Sequence, residues 1–166
     1  MSPEFMHASL EGNLARAAEL IGAVLPSAWP DRAARPMRYR LEQIAVDPTV
    51  QPWLIRAMVL REPVRSVIGH IGFHAAPDLR GAVEVGYTVD AAYRRRGYAF
   101  EAVQALFAWA TRKHGIHLFV ASVSPDNVAS LSLVYKLGFS QVGSQWDDED
   151  GEELVFELSR IDRPSS

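Results

Sequence analysis

The segment Val83–Val103, VEVGYTVDAAYRRRGYAFEAV, decides the architecture of this chain. Its first seven residues put Val83, Val85, Tyr87 and Val89 on one side of an extended chain, which predicts a strand. An arginine-rich turn with one glycine follows, and from Tyr98 the apolar residues recur at helical spacing. A strand, a glycine turn and a helix in that order build an anion site, because small residues let successive backbone N–H groups converge at the positive end of the helix. Arg94, Gly97 and Ala99 satisfy a Gln/Arg-x-x-Gly-x-Gly/Ala pattern. The anion this arrangement predicts is a pyrophosphate.

Working outward, Tyr98 to His114 reads as a long helix with Val103, Leu106, Phe107 and Ala110 on one face, closed by Gly115. A strand at Ile116–Val123, a helix at Asn127–Leu137 capped by Gly138, and strands at Gln141–Trp146 and Leu154–Leu158 follow. Upstream, strands are predicted at Trp53–Leu60 and Ser66–His74, forming with Val83–Val89 an antiparallel meander. The N-terminal part predicts one amphipathic helix from Ser9 to about Leu25, a Pro/Trp loop over Ser27–Pro36, and a short helix over Met37–Val46. The fold class is therefore α/β, with a mixed, mainly antiparallel central sheet and flanking helices.

With 166 residues, 48% of them hydrophobic, the chain is long enough for one well-filled core. Residues 1–5, MSPEF, read as a cloning-vector scar and are set aside; one domain is expected over residues 6–160, and 161–166 as a frayed tail. The absence of cysteine removes disulfides, thiolate metal sites and a catalytic thiol. A formal charge of -3, with basic residues concentrated only at the arginine turn, argues against a nucleic-acid partner. Neither a membrane span nor a signal peptide is read from the sequence, so a cytoplasmic location is expected.

The strand, the RRRGYA turn and the helix, followed about 25 residues later by SPDNVASLSLVYKLGF, resemble the GNAT superfamily of acyl-CoA-dependent N-acetyltransferases. The branch they are most similar to is that of the ribosomal-protein N-terminal acetyltransferases, through Asn127, Ser130, Leu137, Gly138 and Phe139. The resemblance covers roughly Ser66 to Leu158; the first half matches only in general layout. It implies a GNAT-like fold and transfer of an acetyl group from acetyl-CoA directly to a primary amine, either a protein N-terminus or a small-molecule amine. No metal is implied. Other readings are a non-catalytic acyl-CoA-binding or sensing module, and a toxin acetylating aminoacyl-tRNA, which would need a basic face for RNA. An exposed edge strand would permit a homodimer.

Under that resemblance the residues fall into roles. Backbone N–H groups from Arg95, Arg96, Gly97, Tyr98 and Ala99 would meet the pyrophosphate, with Arg94 and its neighbours adding charge. Tyr87, Thr88 and Val89 lie in the strand segment that can pair with pantetheine amides as a further strand would. Gly86 would mark a bulge or splay that opens this edge, and a backbone N–H near Val89 would polarise the thioester carbonyl.

Proton handling assigns Glu84 first. A free amine is largely protonated at neutral pH, so a base is needed. Alternation places Glu84, Gly86 and Thr88 on the less apolar face. His70 and His74 are rival bases; in a strand they stand roughly 13 Å apart, which disfavours a shared metal. For the leaving thiolate, the superfamily's tyrosine position is Val134 here, and Tyr135 lies one residue on. At about 100° per residue, Asn127, Ser130 and Val134 share a helical face and Tyr135 points about 80° away from Asn127. Ser130 could bond the sulfur or pantetheine; Asn127 could anchor the cofactor or cap its helix. The acidic run at Trp146–Glu153 reads as a solvated hairpin turn, Trp53 as packing, and Trp29 as either packing or pocket wall.

Overall fold

The computed structural model describes residues 1–149 and 151–160, apart from the side chain of Pro30. Residues 161–166, expected to form a frayed tail, lie outside the described residues. Helices α1 (Pro3–Leu10), α2 (Leu14–Ile21) and α3 (Trp29–Val46) precede strands β1 (Arg56–Leu60), β2 (Ser66–Phe73) and β3 (Ala82–Val89). Then come α4 (Tyr98–His114), β4 (Leu118–Val123), α5 (Val128–Leu137), β5 (Ser140–Asp147) and β6 (Gly151–Ser159). The six strands run in the order β1-β2-β3-β4-β6-β5. The β3–β4 pair is parallel, while β1–β2, β4–β6 and β5–β6 are antiparallel, giving the mixed, mainly antiparallel sheet expected.

The chain forms two compact units. The first comprises Met1–Phe73 with Tyr87–Ala99. Its core joins Phe5, Met6, Trp29, Met37, Leu54 and Val67, all almost fully buried. Between β1 and β2 the register shifts at Met58/Val59, a bulge that bends the hairpin. Near the start of β2, the Asp90 N–H donates to the Ile68 carbonyl at 2.8 Å.

Several expectations are corrected here. The single helix from Ser9 to Leu25 is two: Gly12 at φ +77° turns the chain, and the Asn13 side chain caps α2 by accepting from the Arg16 N–H. Gly22, in the left-handed region, ends α2 before Leu25 is reached. Residues 3–5, set aside in the sequence reading, open α1. Ser2 caps α1, and Phe5 is 1% exposed, its apolar ring packed at a tilt against Trp29. The loop expected over Ser27–Pro36 is mostly helix, since α3 begins at Trp29 with Pro30 in its first turn, where a missing N–H costs nothing. Trp53 ends a 3-10 segment (Pro48–Trp53) instead of opening a strand; Asp47 starts that segment by accepting from the Thr49 N–H. Trp53 packs on Phe73, ring centroids 6.1 Å apart.

The second unit comprises His74–Gly86 with the described residues from Phe100 onward. In it Phe107 of α4 stacks on Phe119 of β4 at 3.9 Å and meets Phe139 at 6.0 Å. The α4 face read from the sequence, Val103, Leu106, Phe107 and Ala110, is the buried one. Gly115 and Gly138, both at positive φ, close α4 and α5 as expected. The acidic turn joins β5 to β6, and Asp147 organises it by accepting from the Glu149 N–H.

Candidate active site

β3 ends at Val89, and a 3-10 turn at Ala91–Tyr93 delivers the chain into the arginines. The turn has a distinctive backbone. Arg95 sits at φ +60° and Gly97 at φ +85°, so the peptide units reverse direction twice before α4 begins at Tyr98. Among the described residues, the N–H groups of Arg95, Arg96 and Gly97 make no backbone hydrogen bond, and the first-turn N–H groups of α4 have no acceptor within the helix. Residues 94–97 are exposed, and a Cβ placed on Gly97 would have nothing within 4 Å. The result is an open, positively charged cradle of backbone donors, which fits a diphosphate.

Two side-chain bonds hold the cradle. Arg94 Nε donates to the Val89 carbonyl at 2.9 Å, tying the first arginine to the end of β3. The Arg32 guanidinium meets Asp90 at 2.9 Å; the Asp90 side chain is 7% exposed against 47% for Arg32. Sequence reasoning missed this pair. An aspartate directly after an apolar strand was a visible signal, but its partner lies 58 positions earlier. Arg96 extends over the Tyr93 ring, 5.8 Å from its centroid.

Elsewhere in this unit Thr88 is exposed, Tyr87 half-buried and Val89 buried. The Thr88 carbonyl lies 2.1 Å from where a Cβ on Gly69 would sit, so only glycine lets β2 approach β3 there. His70 lies edge-on to Trp29 at 6.4 Å. Burial pushes its pKa below the ordinary histidine value, Asp90 opposes that shift, and Arg40 adds to it. Trp29 is 1% exposed and its Nε1 donates to Ser9 Oγ at 3.3 Å, so it is a packing residue.

In the second unit, Glu84 and His74 face each other. The His74 N–H donates to the Glu84 carbonyl at 2.8 Å, and His74 Nδ1 lies 3.7 Å from Glu84 Oε1. The β3–β4 register runs over Ala82–Leu118, Val83–Phe119 and Glu84–Val120, whereas β4 stays paired with β6 through Val123. Gly86 lies two residues beyond Glu84, where that register has ended.

On α5, Asn127 is the N-cap, its side-chain oxygen accepting from the Ser130 N–H at 3.1 Å. Ser130 is half-buried and Val134 is 1% exposed, filling the core. Tyr135 is 56% exposed and stands edge-on to Phe156, centroids 5.4 Å apart. Among the described residues, no group of three His, Asp or Glu side chains is placed to hold a metal ion. No helix of the described chain is long and apolar enough to cross a membrane.

An N-acetyltransferase of Bacillus subtilis, YjdG, whose role is uncharacterized, is 32% identical over 82 residues, 49% of each chain. The chain thus spans about half the length of the curated relatives it matches. A GnaT-family acetyltransferase from Bordetella pertussis superposes with a TM-score of 0.60 at 25% identity, over 78% of this chain and 77% of that one. RimL, a ribosomal L7/L12 alpha-N-protein acetyltransferase solved with coenzyme A, shares the fold at TM-score 0.67 and 17% identity, over 96% and 90%. The sequence model of the acetyltransferase (GNAT) domain matches residues 10–140, and with the strand, turn and helix in place the chain belongs to the GNAT acetyltransferase family.

Proposed function

We propose that this protein transfers an acetyl group from acetyl-CoA to the primary amine of an acceptor. The observation carrying this reading is the cradle at Arg94–Ala99, with its unbonded N–H groups, Gly97 at φ +85° and three arginines. It would take the pyrophosphate of acetyl-CoA, as expected for a family with coenzyme A-bound members such as RimL. Tyr87, Thr88 and Val89 would lie along the pantetheine, and the Val89 N–H would polarise the thioester carbonyl. Asn127 and Ser130 would approach the coenzyme from the N-terminus of α5. Glu84 is assigned to proton removal and Ser130 to the sulfur, with Tyr135 the other candidate donor to the thiolate. A thiol pKa near 8.5 makes that thiolate a tolerable leaving group without a strong acid.

The acceptor follows from no residue yet named; protein N-termini and small amines both present the required nitrogen. An acceptor panel of N-terminal peptides, polyamines and amino sugars, followed by coenzyme A thiol release, tests the reading. Release with at least one amine is the expected result. Binding of acetyl-CoA with no release from any amine would favour the sensing module, to which the buried Val134 in the superfamily's tyrosine position also points.

A further inference from the structure

We infer that His70 is the base of the reaction: it stands on β2 opposite Thr88, in the same compact unit as the arginine cradle and the Tyr87–Val89 segment, and receives the proton of the acceptor amine. This rests on the acetyltransferase reading above and moves proton removal from Glu84, in the other unit, to a residue of the unit that would hold the coenzyme.

The position follows from the register. The Asp90 N–H bonds the Ile68 carbonyl, and a Cβ on Gly69 would lie 3.0 Å from the Val89 Cα. Ile68 therefore faces Asp90, Gly69 faces Val89 and His70 faces Thr88. Alternation puts His70 on one side of the strand pair with Ile68, Thr88 and Asp90, while Tyr87 and Val89 turn to the other. Opposed residues of such a pair stand roughly 5 Å apart. His70 is thus one strand spacing from the segment that would line the pantetheine and next to the Val89 N–H proposed to polarise the thioester, so a proton can reach the ring directly or through one water.

α3 decides how open this side is. It reaches the Ile68–Asp90 end, where Ile68 is buried and Arg32 bonds the Asp90 carboxylate. Trp29, held by its Nε1 bond to Ser9, meets the His70 ring edge-on at an interplanar angle of 81°. Thr88, by contrast, is exposed, and His70 itself is half-buried. The imidazole stands where the covered part gives way to solvent, oriented by packing and within reach of an amine.

The charges around it suit a base. Asp90, on the same side, favours the imidazolium; Arg40 of α3 disfavours it, and burial disfavours it more, so the pKa lies below the ordinary histidine value and the ring is neutral at pH 7. The residue opposite on β1 is the uncharged Ala57, and the Arg32 cation is engaged by Asp90. Asp90 is a poor rival, because its carboxylate is buried and already ion-paired.

In the reaction the acceptor ammonium gives one proton to the imidazole. Its freed lone pair forms the N–C bond to the thioester carbonyl carbon, and the C–S bond breaks with its electron pair going to sulfur. Of the two protons the nitrogen sheds, one ends on the coenzyme sulfur and the other leaves through His70 to solvent.

The test compares wild type, His70→Gln and Glu84→Gln, using the best amine of the acceptor panel between pH 5.5 and 9. His70→Gln should lower kcat/KM about 100-fold at neutral pH and remove the acidic limb of its profile, with the acetyl-CoA Kd unchanged. Glu84→Gln should keep that limb. An NMR titration of the His70 imidazole in wild type supplies a readout that survives if the variant fails to fold: its midpoint should coincide with that of the limb, and a disagreement beyond about one pH unit would overturn the assignment. So would a His70→Gln enzyme within about twofold of wild type with its limb intact, or a limb lost in Glu84→Gln alone, and both outcomes leave the acetyltransferase reading standing. If wild type binds acetyl-CoA yet acetylates nothing, that reading fails and the inference with it.

Discussion

Arg32, in the first turn of α3, holds the buried carboxylate of Asp90 at 2.9 Å, and Asp90 is the residue at which β3 gives way to the arginine turn. A helix from the part of the chain least readable as this family therefore fixes the entry to its best-marked motif. The same Asp90 accepts from the Tyr93 N–H at 2.8 Å through its carbonyl, so the residue serves the turn with both backbone and side chain.

Removing Arg32 leaves that carboxylate buried without its cation. Arg32→Ala should destabilise the protein by about 2 kcal/mol, below the usual cost of breaking a fully buried pair because Arg32 is half-exposed. Urea unfolding measures this directly. An unchanged midpoint, or an acetyl-CoA affinity equal to wild type in calorimetry, would show that the pair does not support the turn.

Gly97→Glu should abolish acetyl-CoA binding in calorimetry. The left-handed backbone at φ +85° costs a non-glycine residue about 1–2 kcal/mol, and the new carboxylate places negative charge in a cradle for phosphates. Gly97→Ala separates the two effects, because its methyl group meets no protein atom within 4 Å; it should bear the backbone strain alone and retain weakened binding. Full affinity in the glutamate variant would remove the turn as the phosphate site.

His70 makes stability depend on pH. Its pKa in the folded protein is lowered, chiefly by burial, so the unfolded chain binds the proton more readily. Stability should accordingly be fully present above the ordinary histidine value near 6.5 and fall as pH drops below it. Thermal melts between pH 5 and 8 should show a steeper acid-side loss for wild type than for His70→Gln. Parallel curves would mean that the imidazole is as readily protonated folded as unfolded.

Where local signals agreed with one another, the sequence was legible. Tyr98–His114 was readable as α4 because an apolar stripe, a glycine stop and a basic last turn all describe the same helix. Asn127 and Gly138 delimited α5 in the same way. The N-terminal third was harder because its signals compete. Leu10 through Ile21 keeps helical periodicity across Gly12, while Asn13 can cap only if the helix restarts. The prolines and tryptophan of Ser27–Pro36 suggest loop, yet proline is welcome at a helix start. In the candidate site, the turn was visible because backbone chemistry is written in glycine positions. The Arg32–Asp90 pair and the edge-on contact of His70 with Trp29 were not, because both depend on which residues the tertiary fold brings together.

Arg95 has a consequence of its own. An L-residue held at φ +60° occupies a region that glycine enters freely and arginine enters at a cost of about 1–2 kcal/mol. A chain optimised for thermal endurance would carry glycine there. This one carries a cation, so a single torsion angle sets resistance to heat against attraction for polyanions, and Arg95→Gly would move the two in opposite directions.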